Sequence, residues 1–293
     1  MNGIDVVIFG IKLTVKPIAF TISIGSFNWD IYWYGILIAL GFLLAVLYAL
    51  KNAKRFDLDV DRMLDVVLVT VPVAIFCARL YYVMFDGVKL QSIGDFFGLD
   101  GRSGLSGIAI WGGVIGAFLT GALMCKIRKV KILDMFDIAA IGFLIGQGVG
   151  RWGNFVNQEA YGDFTNSSWW GMQSDRTIRE MGEGLVHPCF LYESIWCIIG
   201  FFLLNYFSKK RKFSGQLVLM YAAWYGFGRT IIEFLRTDSL MIGPIKVSVL
   251  VSLIACITAV VLLIYMNRKQ KESNVEYINM FEEIEDEEND ENN

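Results

Sequence analysis

Histidine is nearly missing from this chain: His187 is the only one in 293 residues, so no cluster of imidazoles can build a metal centre. The five cysteines, at 77, 125, 189, 197 and 256, are scattered, most of them within apolar stretches, and no Cys-x-x-Cys occurs. A disulfide framework and a zinc signature are thereby excluded. Charged residues make up 19% of the chain, against about a quarter in soluble domains. The N-terminus lacks the charged region and cleavage site of a secretory signal, which leaves targeting to the first spanning helix. Neither a repeat of about 20–50 residues nor an inverted pair of broken helices is visible, so solenoids and repeat-built transporters find no support.

What the chain has in excess is apolar length. Hydrophobic residues make up 55% and the mean hydropathy is +0.50. A helix needs roughly 20 apolar residues to cross a bilayer. Seven stretches meet that length, near 30–50, 63–85, 108–125, 133–152, 188–207, 216–235 and 246–266. The expected fold is therefore all-α, a polytopic membrane protein with seven transmembrane helices. Basic clusters follow every odd-numbered span: Lys51, Lys54, Arg55 and Arg62; Lys126, Arg128, Lys129 and Lys131; Lys209, Lys210, Arg211 and Lys212; Arg268, Lys269 and Lys271. The positive-inside rule places those ends in the cytoplasm and the N-terminus outside.

Further regions follow from that topology. Residues 1–29 are too broken for a span and are expected to form an arm along the outer surface, ahead of a catalytic domain at 30–271. The connection from 153 to 187 is too long for a linker and is expected to form a small extracytoplasmic cap; the glycine-rich loop at 86–107 is expected to cover an entrance. Residues 272–293 carry ten acidic and no basic side chains and read as a disordered, solvated cytoplasmic tail.

The densest polar cluster is the run from Gly150 to Gly162, with Arg151, Asn154, Asn157, Gln158 and Glu159 at the end of an apolar segment. A charge at membrane depth costs roughly 2.5–3.5 kcal/mol on insertion scales, so such groups need partners or a cavity. In the sixth span, Tyr225, Arg229, Glu233 and Arg236 follow steps of four, four and three and share one face. The Arg229–Glu233 pair compensates itself, which leaves Arg236, Arg151 and Arg79 as surplus positive charge. In the predicted topology these groups, with Tyr34 and Glu193, lie in the outer halves of five spans. A guanidinium suits bidentate contact with phosphate oxygens, so the constellation favours an anionic head group. Blander readings stand beside this one. Arg79 and Glu193 are consistent with a structural pair, Arg236 with snorkelling, His187 with a helix start, and Gly112, Gly113, Gly116 and Gly121 with close helix packing.

These residues also carry a resemblance. Gly150-Arg151-x-Gly153-Asn154-Phe155-x-Asn157-x-Glu159-x-x-Gly162 resembles the signature of the bacterial prolipoprotein diacylglyceryl transferases. Trp33-Tyr34-Gly35, Ala78-Arg79-Leu80-Tyr81-Tyr82, Gly107 to Gly113, His187-Pro188-x-x-Leu191-Tyr192-Glu193, and the stripe from Tyr225 to Arg236 match in family order over about 18–268. The resemblance implies transfer of the diacylglyceryl group from phosphatidylglycerol to the lipobox cysteine of a prolipoprotein in the bacterial cytoplasmic membrane, with release of glycerol 1-phosphate. It implies no metal, cofactor or nucleic acid; membrane lipids and the prolipoprotein are the partners. It further implies phosphate contacts by Arg151 and Arg229, orientation by Asn154 and Tyr34, and shaping of the site by Glu159, Gly162 and Glu233. Arg236 and Arg79 would then help hold the lipid.

Trp111 departs from the family pattern, since many members have histidine there as the favoured base for the thiol. An indole cannot accept a proton. His187, Glu159, a carboxylate acting through water, or the arginine field alone remain as alternatives. The competing class is a polytopic transporter or binding protein for an anionic solute or lipid. Polar groups confined to one half of the bilayer argue against a through-path.

Overall fold

The computed structural model describes residues 4–24, 27–85, 96, 109–237, 241–242 and 245–291. Most of the predicted loop at 86–107 lies outside them, as does residue 292 onward. Seven long helices occupy the seven predicted stretches. They are α1 (Trp33–Asn52), α2 (Val60–Phe85), α3 (Ile110–Ile127), α4 (Ile132–Asn157), α6 (Cys189–Ser208), α7 (Gln216–Leu235) and α8 (Val247–Glu291). A short helix, α5 (Asp175–Met181), lies between α4 and α6.

Six helices among the described residues are long and apolar enough to cross a membrane: α1 with the 3-10 turn after it, α2, α3, α4, α6 and α8 as far as Lys271. The chain is an all-α polytopic membrane protein. The expected count of seven is not reached on those grounds. Helix α7 has the length but carries Gln216, Arg229 and Glu233, so its apolar stretch is interrupted. It packs against α6 and α8. The seal between α6 and α7 is a pair of indoles, Trp196 and Trp224, stacked 4.1 Å apart and tilted by only 10°. Each ring N–H donates to the other tryptophan's backbone carbonyl, at 3.0 and 3.1 Å. Gly200 and Gly228 leave room for them, since a Cβ at either position would strike an indole.

The N-terminal arm, too broken for a span, is built of strands. It forms β1 (Ile4–Ile8), β2 (Ile11–Val15), β3 (Ile18–Ile24) and β4 (Phe27–Tyr32). Phe9 and Gly10, with φ of 50° and 78°, make the two-residue turn between β1 and β2. The arm is not separate from the cap, because β1 pairs antiparallel with β5 (Met172–Ser174). Val186, Phe190, Ala160, Tyr161 and Met172 form the cap's buried core, with Ile8 packed against it. Two more short strands, β6 (Met241–Ile242) and β7 (Ile245–Lys246), pair between α7 and α8. The helix assignment of α8 runs on to Glu291, and the solvated tail expected over 272–293 stays an expectation.

The chain divides into two compact units, residues 50–136 and the remainder. Within the first, α2 and α3 pack through small residues: a Cβ at Gly116 would lie 2.6 Å from the Cβ of Cys77, and one at Gly113 3.4 Å from the Cβ of Ala78. The close-packing reading of these glycines therefore holds. Ion pairs Arg128–Asp65 and Lys131–Asp57 tie the same unit together.

Candidate functional site

Glu193 stands at the centre of the second unit's polar cluster. It belongs to the first turns of α6, and its carboxylate is almost wholly buried, 2% exposed. One oxygen accepts from Arg151 of α4 and from the Tyr225 hydroxyl of α7, the latter at 2.7 Å. The other accepts from Arg229 Nη1 of α7 at 3.0 Å. Three helices thus meet on one carboxylate. Arg229 turns its second terminal nitrogen to Glu233, one turn along, at 2.6 Å, so the self-compensating pair read from the spacing is present. Ser248 of α8 donates to the other Glu233 oxygen at 2.6 Å.

From Arg151 a second line runs toward the cap. Its Nη1 donates to Asn154 Oδ1 at 3.3 Å, and Asn154 Nδ2 donates to Glu159 Oε2 at 3.4 Å. Arginine 151 and Asn154 are three residues apart on α4, which puts them on one face. The helix ends immediately beyond, with Gln158 and Ala160 in the left-handed region at φ of 61° and 57°, and this turn presents Glu159 beside Asn154. Tyr34, at the start of α1, packs its ring over Gly153; a Cβ there would lie 2.6 Å from the ring.

The two guanidiniums and two carboxylates of Arg151, Arg229, Glu193 and Glu233 sum to no net charge. Each guanidinium has five N–H donors, and the contacts just given, among the described residues, use two nitrogens of each. Among the described residues, these contacts leave further N–H groups on both guanidiniums. No group of three or more His, Cys, Asp or Glu that could hold a metal occurs among the described residues.

The sequence-predicted residues are placed as follows. Arg151, Asn154, Glu159, Arg229 and Glu233 are joined by the contacts above. Gly162 and Arg236 act through backbone: they form an antiparallel bridge, and Gly162 N–H donates to the His187 carbonyl at 2.8 Å. A side chain at Gly162 would collide with the Leu235 carbonyl and come within 2.9 Å of Cys189 Sγ, which explains the glycine. His187 shares its ring Nδ1 with the Tyr192 hydroxyl at 3.1 Å, and Trp170 donates to the same hydroxyl at 2.8 Å. Arg79 belongs to the other unit, where its Nε donates to the Phe96 carbonyl at 2.9 Å and its guanidinium lies 5.5 Å from the Tyr82 ring. Trp111 is in that unit as well, at the start of α3.

Four contributors had been given no role in the site, and Glu193 pairs with Arg151 and Arg229 rather than with Arg79. Glu193 and Tyr225 were visible as polar groups in apolar spans, yet nothing in one sequence says that a carboxylate is shared by two arginines. Ser248 and Lys246 sit where the eighth helix begins and read as ordinary boundary residues. Lys246 donates to the carbonyls of Glu233 and Arg236, at 2.8 and 2.6 Å, closing the end of α7.

In the cap, Arg176 reaches Glu159 at 3.4 Å and Glu180 at 2.8 Å, and the Tyr161 hydroxyl donates to Glu180. The hydrogen bond from Tyr161, with that from Arg176, holds the Glu180 carboxyl below the ordinary glutamate value. The same bond to Glu180 raises Arg176 further above neutrality. A cavity of about 950 Å³ opens beside them, lined by Asn157, Gln158, Asp175, Arg176, Arg179 and Glu180 among others.

Residues 17–265 match the sequence model of the family described as prolipoprotein diacylglyceryl transferase. Proteins named phosphatidylglycerol–prolipoprotein diacylglyceryl transferase align along most of the chain. One from Clostridioides difficile is 41% identical over 255 residues, covering 87% of this chain and 96% of its own. One from Clostridium perfringens, the first of that name there, is 42% identical over 270 residues, covering 90% and 100%. One from Finegoldia magna is 43% identical over 244 residues, covering 82% and 93%.

Proposed function

This chain belongs to the prolipoprotein diacylglyceryl transferase family, and from that premise we propose that it moves the diacylglyceryl group of phosphatidylglycerol onto the lipobox cysteine thiol of a prolipoprotein. It is a multi-pass membrane transferase. We place it in the bacterial cytoplasmic membrane with the N-terminus outside and the C-terminus in the cytoplasm, α7 completing seven crossings. In that arrangement the arm and cap lie on the outer face.

The observation that carries the reading is the pair of guanidiniums, Arg151 and Arg229, steered by one buried carboxylate among apolar helices, with N–H donors beyond those that the contacts among the described residues use. The thiolate sulfur attacks the glyceryl carbon that bears the phosphate. A carbon–sulfur bond forms, the carbon–oxygen bond breaks, and glycerol 1-phosphate departs with the electron pair. Negative charge grows on the leaving oxygen, and preorganised guanidiniums are the groups to receive it. Asn154 and Tyr34 orient the head group so that attack is in line. Arg79 and Arg236 add positive charge for the lipid, and Gly162 keeps the wall of the site thin.

A free cysteine has a pKa near about 8.5, so its proton must be taken up. Trp111 cannot do so, and the His187 ring already meets Tyr192. Glu159, with its side chain 41% exposed and one oxygen toward Asn154, is the acceptor we assign, directly or through one water. The test is transfer by purified protein in detergent, from phosphatidylglycerol to a lipobox peptide and to its Cys→Ser control. Cysteine-dependent mass gain with release of glycerol phosphate is the expected result; phosphatidylglycerol binding without product would refute it.

A further inference from the structure

Arg176 lies in none of the motifs that carry the resemblance, yet its guanidinium is the cap's one charged contact, among the described residues, with the polar line that leads from Arg151. Its helix is fixed at the start by a reciprocal cap in which Ser174 and Thr177 each bond the other's backbone N–H. On one side Arg176 Nε donates to Glu180 at 2.8 Å, and the buried Tyr161 hydroxyl holds the opposite Glu180 oxygen. On the other side Nη1 lies 3.4 Å from Glu159 Oε1 and 3.4 Å from the Asn157 carbonyl.

Glu159 therefore uses its two oxygens separately, Oε1 toward Arg176 and Oε2 toward Asn154. A carboxylate on an exposed turn, held at one oxygen only, samples several rotamers; held at both, it keeps one. We propose that Arg176 is a positioning residue for the transfer, fixing Glu159 in the orientation that meets Asn154 and faces the thiol. The inference rests on the transferase reading and deepens it. Tyr161, Glu180 and Arg176 form a bracket that belongs to the cap, so the cap's folding sets the geometry of the reacting end. Arg176 also borders the open cavity, so truncating it leaves water rather than a void, and its effect can be read without unfolding the cap.

The experiment compares wild-type protein with Arg176→Met, Arg176→Lys, Glu159→Gln and the Arg176→Met/Glu159→Gln pair in the peptide transfer assay. Arg176→Met is expected to lower kcat by about 10- to 100-fold, as small misplacements of reacting groups do, with KM for phosphatidylglycerol held within about twofold. Arg176→Lys recovers part of the loss. The double variant is no more than about twofold slower than Glu159→Gln alone, because one residue acts through the other. Where Glu159→Gln falls below detection, Glu159→Asp takes its place in the cycle. An unaltered kcat in Arg176→Met, or losses that multiply in the double variant, would overturn the inference. Absence of product from the wild type would instead overturn the transferase reading.

Discussion

Two buried carboxylates serve opposite ends of the second unit, and their partners differ in kind. Asp137 of α4, fully buried, accepts backbone N–H groups from Gly215, Leu217 and Val218 at 2.8–2.9 Å and one guanidinium nitrogen of Arg211 at 2.9 Å. Backbone donors at a helix start cannot turn away without unwinding α7, so this carboxylate is locked. Glu193 is as deeply buried, yet among the described residues its partners are side chains: Arg151, Arg229 and Tyr225. Side chains can rotate, and the two arginines hold donors in reserve. The first arrangement is a clasp; the second is a hinge point, and the proposed function brings a phosphate to it. The difference lies in the donors, since burial is the same.

The sharpest way to break the contrast is at the hinge point. Arg151→Ala and Arg229→Ala should each reduce transfer by about 10²–10³-fold or more, the scale for loss of one preorganised donor, with membrane insertion intact by protease mapping. Near-normal turnover in either would sink the assignment. Next in size is Asp137→Asn. Weakening a buried ion pair costs about 3–5 kcal/mol, so a large fall in melting temperature is expected, with kcat unchanged in the fraction that remains folded. Glu193→Gln should do the reverse in proportion: thermal stability falls less than in Asp137→Asn, because Tyr225 and one arginine keep a hydrogen-bonding partner, while kcat falls further. Equal effects of the two substitutions would dissolve the distinction.

Smaller effects sharpen it from outside. Removing residues 273–293 should leave kcat and KM unchanged, because the matched family region ends at 265. A marked loss would give the acidic segment a role in transfer. Acid should loosen the cap first. The Glu180 carboxyl is held below the ordinary glutamate value by Tyr161 and Arg176. Its contribution is therefore complete above that ordinary value and lost as pH falls through the lower folded one. Tryptophan emission from Trp169 and Trp170 should report this loosening in wild type and not in Glu180→Gln.

Six of the long helices could be read from composition because a bilayer demands long apolar runs, and little else in the chain has that length. The Arg229–Glu233 pair was equally legible, since a step of four puts both on one face. What escaped was pairing between distant segments. The three residues of β5 contain no alternation long enough to mark a strand, and their partner lies at the N-terminus, more than a hundred residues back. Glu193 was visible as a costly group, but its two arginines come from different helices, and no local spacing joins 151 to 193 to 229. Ser248 and Lys246 carried no signal beyond marking a helix boundary.

Arg211 has two careers in the proposed topology. While the chain is being inserted it is one of four cations that keep the loop after α6 in the cytoplasm, and acidic residues contribute little to that decision. Its partner Asp137 is 74 residues earlier and has already passed through the insertion machinery. The pair can close only after both helices are in the bilayer. In that topology the same charge first directs the chain's orientation and later fastens the start of α7. A neutral residue at 211 would be felt twice, once in the fraction of molecules inserted the right way round and again in the durability of those that were.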